Sequence, residues 1–335
     1  MKVLRLHGPR DLRLHDEPEP VAKPDEQIVR VTAVGICGSD LHWFAESGIG
    51  DARLNRPLVL GHEFAVVIEI GPRHGQRVAI DPAVPCEQCE YCQDGNPNLC
   101  ANIHFAGHGA DDGALRECMA WPERNLYAIP DSLTDADGAI LEPLGVAIHA
   151  IDLAHIRPGM TVGVFGCGPI GLLMLQLARA AGATRLYATE VLPHRIAAAQ
   201  TFGARVFHAD GEEAKAILTE TGKRGVDVAI EVAGVNEAVE AAISTVKPGG
   251  TVVLVGIPSE DSTTFTASVA RRKGLTIRMS RRMKRTYPRA IALVERGMVD
   301  VRSIATAQFP LDKAGQAFAL AQKREGLKIV ITPTS

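Results

Sequence analysis

Apolar and polar positions follow two different patterns along the 335-residue chain. Up to about residue 145, short apolar runs such as 29–34 and 64–70 lie between Gly- and Pro-rich turn segments. Runs of Val and Ile bounded by turn residues are typical of β-strands. The first part of the chain is therefore predicted to be mostly β-structure.

Between about residues 146 and 280, strand-like runs alternate with helical ones. Strands are predicted at 161–165, 186–189, 226–230 and 251–255, helices at 170–181 and 195–202, and a turn at 247–250. Repetition of strand, helix and strand indicates a doubly wound parallel sheet. The chain is thus predicted to be an α/β protein with a Rossmann-type dinucleotide-binding domain at 146–280. A β-rich catalytic domain is predicted to comprise 1–145 and 281–335.

Composition and charge exclude several classes of function. The formal net charge of -3 provides no basic field for nucleic acid or an anionic membrane. No apolar run reaches the roughly 18 residues that a membrane-spanning helix needs. The N-terminal segment carries charges every few residues and lacks the apolar stretch of a secretory signal. The cytoplasm is therefore the expected compartment, with no nucleic-acid or membrane partner.

A glycine-rich motif directly follows the predicted strand 161–165. Its defining residues are Gly166, Gly168, Pro169, Ile170 and Gly171. In such a motif the first glycine permits a tight turn, the second lets the backbone approach a pyrophosphate, and the third lets helix and strand pack closely. The phosphates then lie at the helix N-terminus, where free N–H groups favour anions. A glycine turn without a dinucleotide is the alternative.

An acidic residue ends the next predicted strand. Glu190 stands 19 positions after Gly171. A carboxylate there accepts hydrogen bonds from the ribose hydroxyls and repels a 2′-phosphate, which favours NAD over NADP. Arg195 lies nearby and could accommodate that phosphate, so the preference is not absolute.

Four of the seven cysteines lie within fifteen residues, namely Cys86, Cys89, Cys92 and Cys100. Four thiolates suit a tetrahedral zinc ion with no open coordination position, as in a structural site. The segment 86–100 is polar and rich in turn residues, so a metal would hold it together. Buried free thiols and an iron–sulfur cluster are alternatives, although the last spacing is longer than in bacterial ferredoxins. A nucleic-acid-binding zinc ribbon would need basic residues, and this segment has no Lys or Arg.

Three further short segments are unremarkable individually: Cys37-Gly38-Ser39-Asp40, Gly61-His62-Glu63 and Glu142-Pro143-Leu144. Together with the cysteine lobe, the glycine motif and Thr286-Tyr287-Pro288, they occur in the order and spacing of one family. The chain resembles the zinc-dependent medium-chain alcohol dehydrogenases, and especially their sorbitol/xylitol (polyol) dehydrogenase branch. This resemblance covers nearly the whole chain and implies a GroES-like fold for the β-rich catalytic domain.

The resemblance implies a second, catalytic zinc ion. Cys37 and His62 would be its ligands. Glu63 and Glu142 occupy positions where the family supplies a further ligand or a residue that holds the zinc-bound water. Which of the two binds the resting ion is left open.

The resemblance also implies roles in catalysis and substrate binding. Ser39 would accept the proton from the substrate hydroxyl, and His42 would relay it. Trp43 and Phe105 would line the substrate pocket, and Arg282 would reach the substrate and cofactor. By spacing alone, Ser39 and His42 could be helix-cap and surface groups, and the aromatic residues ordinary core.

This sequence departs from the polyol branch at two places. Met283 stands where that branch often has Tyr after the arginine, which removes a hydroxyl and puts sorbitol itself in doubt. The segment 71–78 is shorter than the usual loop. The run 281–285 is unusually basic, and beside a substrate it could attract a phosphate or carboxylate.

The expected function is therefore a reversible, zinc-dependent hydride transfer from a secondary hydroxyl of a small polyol to NAD, giving a ketose. Alternative substrates are threonine, a vicinal diol such as 2,3-butanediol, and a phosphorylated or acidic sugar alcohol. An alternative of another class is a non-catalytic nucleotide-binding protein. The family commonly forms oligomers, so a homodimer or homotetramer is expected.

Overall fold

The structure is a computed structural model that describes residues 1–334. Its chain divides into two compact units. Unit 1 comprises Met1–Pro143, Tyr287–Glu295 and the residues from Val301 onward, and unit 2 comprises Leu144–Thr286 and Arg296–Asp300. Unit 2 thus consists of one long insertion, Leu144–Thr286, and one short segment, Arg296–Asp300, because the chain returns to unit 1 at Tyr287 and again at Val301.

The strands, in chain order, are β1 (Lys2–Gly8), β2 (Asp11–Asp16), β3 (Glu26–Gly35), β4 (Gly48–Ile49), β5 (Ala52–Arg53), β6 (Glu63–Ile68), β7 (Arg77–Ile80), β8 (Ala83–Val84), β9 (His104–Phe105), β10 (Cys118–Pro122), β11 (Leu126–Ala128), β12 (Thr161–Phe165), β13 (Arg185–Glu190), β14 (Arg205–His208), β15 (Val226–Glu231), β16 (Val246–Leu254), β17 (Thr276–Met279), β18 (Ala305–Pro310) and β19 (Lys328–Thr332). The helices are α1 (Gly38–Glu46), α2 (Glu90–Gln93), α3 (Asp135–Ala154), α4 (Pro169–Ala180), α5 (Pro193–Thr201), α6 (Glu213–Glu220), α7 (Asn236–Thr245), α8 (Ala267–Lys273), α9 (Tyr287–Glu295) and α10 (Ala314–Gln322).

The main sheet of unit 1 has the strand order β11-β7-β6-β3-β19-β18, and β10 pairs with β3. Most of these pairs are antiparallel, whereas β18 and β19 are parallel. Apolar side chains from β3 and β6 pack into a core that includes Phe64, Trp121 and Phe318. Strand β19 comes from the far end of the sequence, yet it lies next to β3 inside the sheet. Residues separated by almost the whole chain therefore meet there.

Unit 2 contains a parallel sheet with the order β14-β13-β12-β15-β16-β17. This order reverses direction between β12 and β15, which is the switch point at which dinucleotides bind in doubly wound sheets. The predicted fold class, a Rossmann-type sheet with a β-rich second domain, is confirmed. The predicted turn at 247–250 lies within the bounds of β16 but forms an irregularity in it, because the register passes from Val226↔Val246 to Val228↔Thr251 and leaves these four residues without partners in β15. Gly249 there has a φ of +71°.

The β-rich part also contains helices that the apolar pattern did not indicate. Helix α1 carries Ser39 and His42, and α3 extends through Glu142 and Pro143. Proline is disfavoured inside a helix, so Glu142-Pro143 suggests a turn. Here the segment 139–147 is almost fully buried, and tertiary packing outweighs that local preference.

No helix in residues 1–334 combines the length and the apolar character that crossing a bilayer requires.

Candidate active site and cofactor site

Two neighbouring strands and the turn after one of them bring Cys37, His62 and Glu63 together. Cys37 follows β3 and precedes α1, while His62 and Glu63 stand at the start of β6. The register of the sheet pairs Gly35 with Glu63. One potential ligand atom from each of the three side chains lies within 4.8 Å of the others. His62 and Glu63 are buried, and Cys37 is half-buried.

Two glycines make this close approach possible. A Cβ atom on Gly35 would lie 2.3 Å from Oε2 of Glu63, so a larger residue there would displace the carboxylate. Gly61 has a φ of +93°, in the left-handed region that side chains disfavour. The glycines beside the ligands therefore shape the site.

Asp40 lies behind His62 and orients its ring. Its carboxylate accepts hydrogen bonds from the backbone N–H groups of Cys37, at 2.9 Å, and Gly61, at 3.2 Å, and lies 3.5 Å from Nδ1 of His62. Burial alone would raise the pKa of Asp40, but the charge of His62 and these hydrogen bonds outweigh it and hold the pKa below its ordinary value. An anion at Nδ1 leaves Nε2 as the metal-facing nitrogen. The sequence did not single out Asp40 for this role.

Lys328 is a buried cation beside Glu63. Its Nζ lies 2.7 Å from the Glu63 carboxylate and donates to Oε1 and to the backbone oxygen of Ile36. Burial lowers the pKa of Lys328, but Glu63 and Cys37 raise it more, so the ammonium stays charged. Sequence reasoning missed Lys328, although a lysine at the start of the apolar run 328–332 is an unusual residue for a buried strand.

Glu142 reaches the same region from α3. Its side chain is buried, and its pKa is raised to about 8 by burial and by the nearby charge of Glu63, with His62 acting in the opposite direction. The cluster of mutually close ligand atoms contains Glu63 and not Glu142. Both oxygens of the Glu63 carboxylate lie close to Lys328, with Nζ 2.7 Å from Oε1 and 2.7 Å from Oε2. Glu63 is therefore a charged carboxylate held beside Cys37 and His62.

The two residues expected to handle protons lie on α1. Ser39 Oγ is 3.5 Å from Nε2 of His62, which places the hydroxyl at the potential metal site. One turn later, His42 has a side chain 25% exposed, with Nδ1 3.8 Å from Glu46. The order Ser39 then His42 therefore leads from the buried site towards solvent.

The aromatic residues expected to line the pocket lie in unit 1. The ring of Phe105 is 5.4 Å from that of His62, and Trp43 is almost fully buried on α1. Arg282 lies in unit 2, where its φ of +51° marks a sharp turn. The neighbouring Met283 is buried, and its sulfur accepts a hydrogen bond from Thr286.

The cysteine lobe forms a second potential metal site. One sulfur from each of Cys86, Cys89, Cys92 and Cys100 lies within 4.8 Å of the others. The Cys89–Cys92 and Cys86–Cys100 sulfur pairs are both 3.5 Å apart. Tetrahedral zinc with bonds of about 2.3 Å requires sulfur separations of about 3.8 Å, so the lobe fits this ion.

The thiols of the lobe differ in acidity. Backbone N–H groups of Gln88 and Cys89 lower the pKa of Cys86 to about 6. Desolvation and the neighbouring sulfurs of Cys89 and Cys100 raise the pKa of Cys92 to about 12. Thiolate charge thus concentrates on Cys86, and a cation shared among the four sulfurs would relieve their mutual repulsion.

The glycine motif forms the turn between β12 and α4. Gly166 has a φ of +106°, and a Cβ atom on Gly171 would lie 2.0 Å from the Gly166 oxygen. Gly168 caps α4 and Pro169 occupies its first turn. The first N–H groups of a helix have no acceptor within the helix, so this end is suited to a pyrophosphate.

Glu190 is the last residue of β13 and lies against this turn. Its carboxylate accepts hydrogen bonds from the N–H groups of Cys167, at 3.0 Å, and Val191, at 2.7 Å. Arg195 follows on α5, with Nη1 3.7 Å from where a Cβ of Gly168 would lie. An acid and an arginine therefore both lie close to the glycine turn.

Comparison with known proteins gives two family matches. Residues 23–131 match the alcohol dehydrogenase GroES-like domain, and residues 169–296 match the zinc-binding dehydrogenase domain.

Curated relatives are similar over nearly their whole length. A sorbitol dehydrogenase of Bacillus subtilis is 35% identical, covering 99% of this chain and 97% of the relative. A sorbitol dehydrogenase of Bos taurus is 38% identical, covering 98% and 95%. A probable D-xylulose reductase A of Emericella nidulans is 37% identical, covering 97% and 94%.

Solved structures show the same fold. An Escherichia coli oxidoreductase/dehydrogenase of unknown specificity superposes with a TM-score of 0.93 at 32% identity, covering 100% of this chain and 99% of that one. The 2R,3R-butanediol dehydrogenase of Bacillus subtilis gives 0.88 at 29%, covering 99% of each chain. The galactitol-1-phosphate dehydrogenase of Escherichia coli gives 0.88 at 27%, covering 99% and 100%.

Proposed function

The chain belongs to the zinc-binding dehydrogenases of the alcohol dehydrogenase family, and from this premise we propose that it oxidises a secondary hydroxyl of a small acyclic polyol to a ketone, reversibly, with NAD as hydride acceptor. The convergence of Cys37, His62 and Glu63 carries this proposal. It is supported by relatives named for sorbitol and xylulose at 35–38% identity.

In this proposal, Cys37, His62 and Glu63 hold the catalytic zinc ion. The cluster of mutually close ligand atoms, which contains Glu63 and not Glu142, supports this choice over Glu142. Asp40 and Lys328 orient His62 and Glu63, because the partners of metal ligands fix their direction. Glu142 stands beside the site as a second carboxyl that can hold a water or the substrate. The four cysteines 86, 89, 92 and 100 hold a structural zinc ion.

When bound, zinc lowers the pKa of the substrate hydroxyl, and NAD takes up the hydride. The residues of the chain manage the proton. Ser39 lies beside His62 and accepts the proton of the hydroxyl. His42, partly exposed on the same helix, passes it towards water. A proton acceptor at the reacting hydroxyl contributes about 10²–10⁴-fold to the rate.

The nucleotide is proposed to bind at the N-terminus of α4. Gly168 and Gly171 allow its backbone to come close, and Glu190 receives the ribose hydroxyls. Glu190 would repel a 2′-phosphate, so NAD is preferred, while Arg195 moderates this preference.

The substrate is proposed to contact Trp43 and Phe105, with Arg282 supplying a cationic contact. Four basic residues within 281–285 favour one further candidate substrate class, a phosphorylated or acidic sugar alcohol. Arg binds such anions in bidentate fashion.

The test is the initial rate of nicotinamide reduction with NAD and with NADP across a substrate panel. The panel contains sorbitol, xylitol and other pentitols and hexitols, 2,3-butanediol, threonine, and sugar-alcohol phosphates and acids. We expect turnover of a neutral polyol with NAD. Turnover of threonine, the diol or an anionic compound alone would replace the proposed substrate. No turnover by protein that holds two zinc ions and binds NADH would favour a non-catalytic nucleotide-binding protein.

We further propose that the protein is a cytoplasmic homodimer or homotetramer. Edge strand β17 leaves Met279 69% exposed, and Ile257 is 54% exposed in the loop after β16, so unit 2 carries apolar surface that a second copy could cover. Light scattering after size-exclusion chromatography tests this, and a monomeric mass would contradict it.

A further inference from the structure

The loop that carries Phe105 is anchored to the segment that carries His62. Gly113 N–H donates to the Val59 oxygen at 2.7 Å, and Ala114 N–H to the Gly61 oxygen at 2.9 Å. Gly107 has a φ of +75°, and a Cβ atom there would lie 3.0 Å from the Gly61 nitrogen. The loop is therefore held at a fixed distance from the potential zinc ligand His62.

A second histidine, His108, lies at the turn of this loop. Its ring is 5.5 Å from that of Trp43, at an interplanar angle of 81°, and 6.5 Å from that of Phe105, at 86°. Since Phe105 in turn contacts His62, a continuous row of rings connects His62 to Trp43 through Phe105 and His108. His108 is half-buried and thus presents part of its ring at the surface of this row.

Trp43 adds an unused hydrogen-bond donor beside His108. Its side chain is 1% exposed, and no group in residues 1–334 accepts a hydrogen bond from Nε1. A buried indole N–H without an acceptor is unfavourable and usually has a partner. An oxygen atom of a bound molecule would supply that acceptor.

We propose that His108 is a specificity-determining residue, which together with Trp43 binds an oxygen of the substrate beyond its reacting carbon. This inference rests on the proposed oxidation of an oxygen-rich acyclic substrate. The ring of His108 supplies a polar atom in a wall that is otherwise aromatic, and Trp43 N–H can only donate. The pair therefore selects molecules with an oxygen at that position over plain secondary alcohols.

A hydroxyl, a phosphate or a carboxylate group of the substrate could each provide the oxygen that accepts a hydrogen bond from Trp43. A site that hydrogen-bonds a substrate discriminates strongly against analogues without the group, because its own polar atoms are then left unpaired. Because His108 lies on a loop, a substitution there can change the contact with the substrate without altering the zinc ligands.

The experiment compares wild type with the variants His108→Phe, His108→Gln and His104→Gln. Phe keeps a ring against Trp43 and Phe105 but removes both nitrogens, and Gln retains a donor and an acceptor. His104 is the matched control, since it lies on the same loop with a side chain 72% exposed and pairs with Asp111. Values of kcat and KM are measured for the best polyol, its phosphate ester and a plain secondary alcohol, together with the zinc content.

We expect His108→Phe to lower kcat/KM for the polyol by about tenfold, mainly through KM, and to change that for the plain alcohol by less than about twofold. His108→Gln recovers part of the loss, and His104→Gln resembles wild type. A larger loss for the phosphate ester than for the neutral polyol identifies an anionic oxygen as the acceptor. An equal loss for polyol and plain alcohol, or a loss of zinc, would overturn the assignment.

Calorimetric titration of the zinc-loaded protein with polyol separates this inference from the proposed function. Wild type that binds polyol more tightly than His108→Phe but does not oxidise it contradicts the reaction and supports the His108 contact. Equal binding by both proteins, with turnover by both, contradicts the contact and leaves the reaction supported. Wild type that does not bind polyol at all contradicts both.

Discussion

The two potential zinc sites of unit 1 are built in opposite ways. The lobe site takes four sulfurs from one segment, residues 86–100, in a polar and largely exposed loop. The other site takes Cys37, His62 and Glu63 from two strands and has Asp40 and Lys328 behind them, all within the protein core except for the half-buried Cys37. A local site of four thiolates leaves no open position, whereas a site assembled by the sheet has mixed ligands and room for a substrate.

The two zinc ions are expected to have different functions. The lobe has little apolar surface of its own, so its zinc ion contributes to folding. The buried site is already held by β3, β6 and β19, so its zinc ion contributes to chemistry. Removing a ligand from the buried site should therefore mainly change activity. Removing a ligand from the cysteine lobe should mainly change stability.

The largest effect is expected from His62→Ala. Loss of a ligand from the catalytic zinc removes the stabilisation of the substrate alkoxide, and activity should fall by about 10³-fold or more. Zinc content should fall from two ions to one per chain. The exposed His74→Ala is the control. Retained activity at one zinc ion per chain would contradict the assignment of His62.

The next largest effect is expected from Lys328→Met. This change leaves the buried carboxylate of Glu63 without its cation, which costs about 3–5 kcal/mol when one partner of a buried pair is removed. Zinc affinity at this site should fall by about 10–100-fold, because Glu63 is no longer oriented. Chemical denaturation and competition with a zinc chelator measure the two quantities.

Lys215→Met provides the matched control for Lys328→Met. Lys215 pairs with Glu212, but both side chains are exposed. Exposed pairs contribute at most about 1 kcal/mol. If the two variants lose similar stability, the buried pair has no special role.

A smaller effect on activity, but a clear one on local structure, is expected from Cys92→Ser in the lobe. One zinc ion should be lost, and proteolytic cleavage within 86–100 should become about tenfold faster, because the segment unfolds more often. Activity per catalytic zinc should change by less than about twofold, given the separation between structural and catalytic sites. Cys118→Ser, outside both sites, is the control. A loss of activity as large as that of His62→Ala would show that the two sites are not independent.

The smallest effect concerns Asp81, at the end of β7 where the chain leads into the lobe. Burial raises its pKa from 3.8 to about 7, with the N–H of Ala83 acting in the opposite direction. Because the pKa of this acid is higher in the folded state, the folded protein binds more protons than the unfolded protein between these two pKa values. Stability is therefore lost as the pH rises from about 4 to about 7.

We expect Asp81→Asn to remove this dependence. The variant should be more stable than wild type at pH 8 and differ little from it at pH 4, because the buried charge is absent. Thermal unfolding at both pH values measures the difference. A variant less stable than wild type at pH 8 would show that the charge of Asp81 has a favourable partner.

The same contrast explains how much of the molecule could be predicted from its sequence. The lobe and the glycine motif are local, so the spacing of Cys86–Cys100 and Gly166–Gly171 indicates their geometry directly. The family, the fold class and the zinc-dependent dehydrogenase function follow from several such segments together, and each is confirmed. The roles of the individual site residues stay predictions.

Other features depend on contacts between distant parts of the chain. Lys328 meets Glu63 across a separation of 265 residues, and nothing in the local sequence of either indicates the other. Helix α3 contains Pro143 because its apolar residues pack into the core, against the local preference of proline. His108 becomes notable only through the rings that surround it.

The position of β19 inside the sheet of unit 1 also has a consequence during synthesis on the ribosome. Its residues Lys328–Thr332 emerge after all of unit 2. While unit 2 is being translated, β10 can already pair with Glu26–Arg30 of β3, but the end of β3 at Val34 and Gly35 lacks its partner. An unpaired strand edge is prone to wrong pairing. The end of β3 is therefore open to such pairing until β19 has been synthesised. Glu63 acquires its cation, and the catalytic centre its final charge balance, only after all of unit 2 has been synthesised.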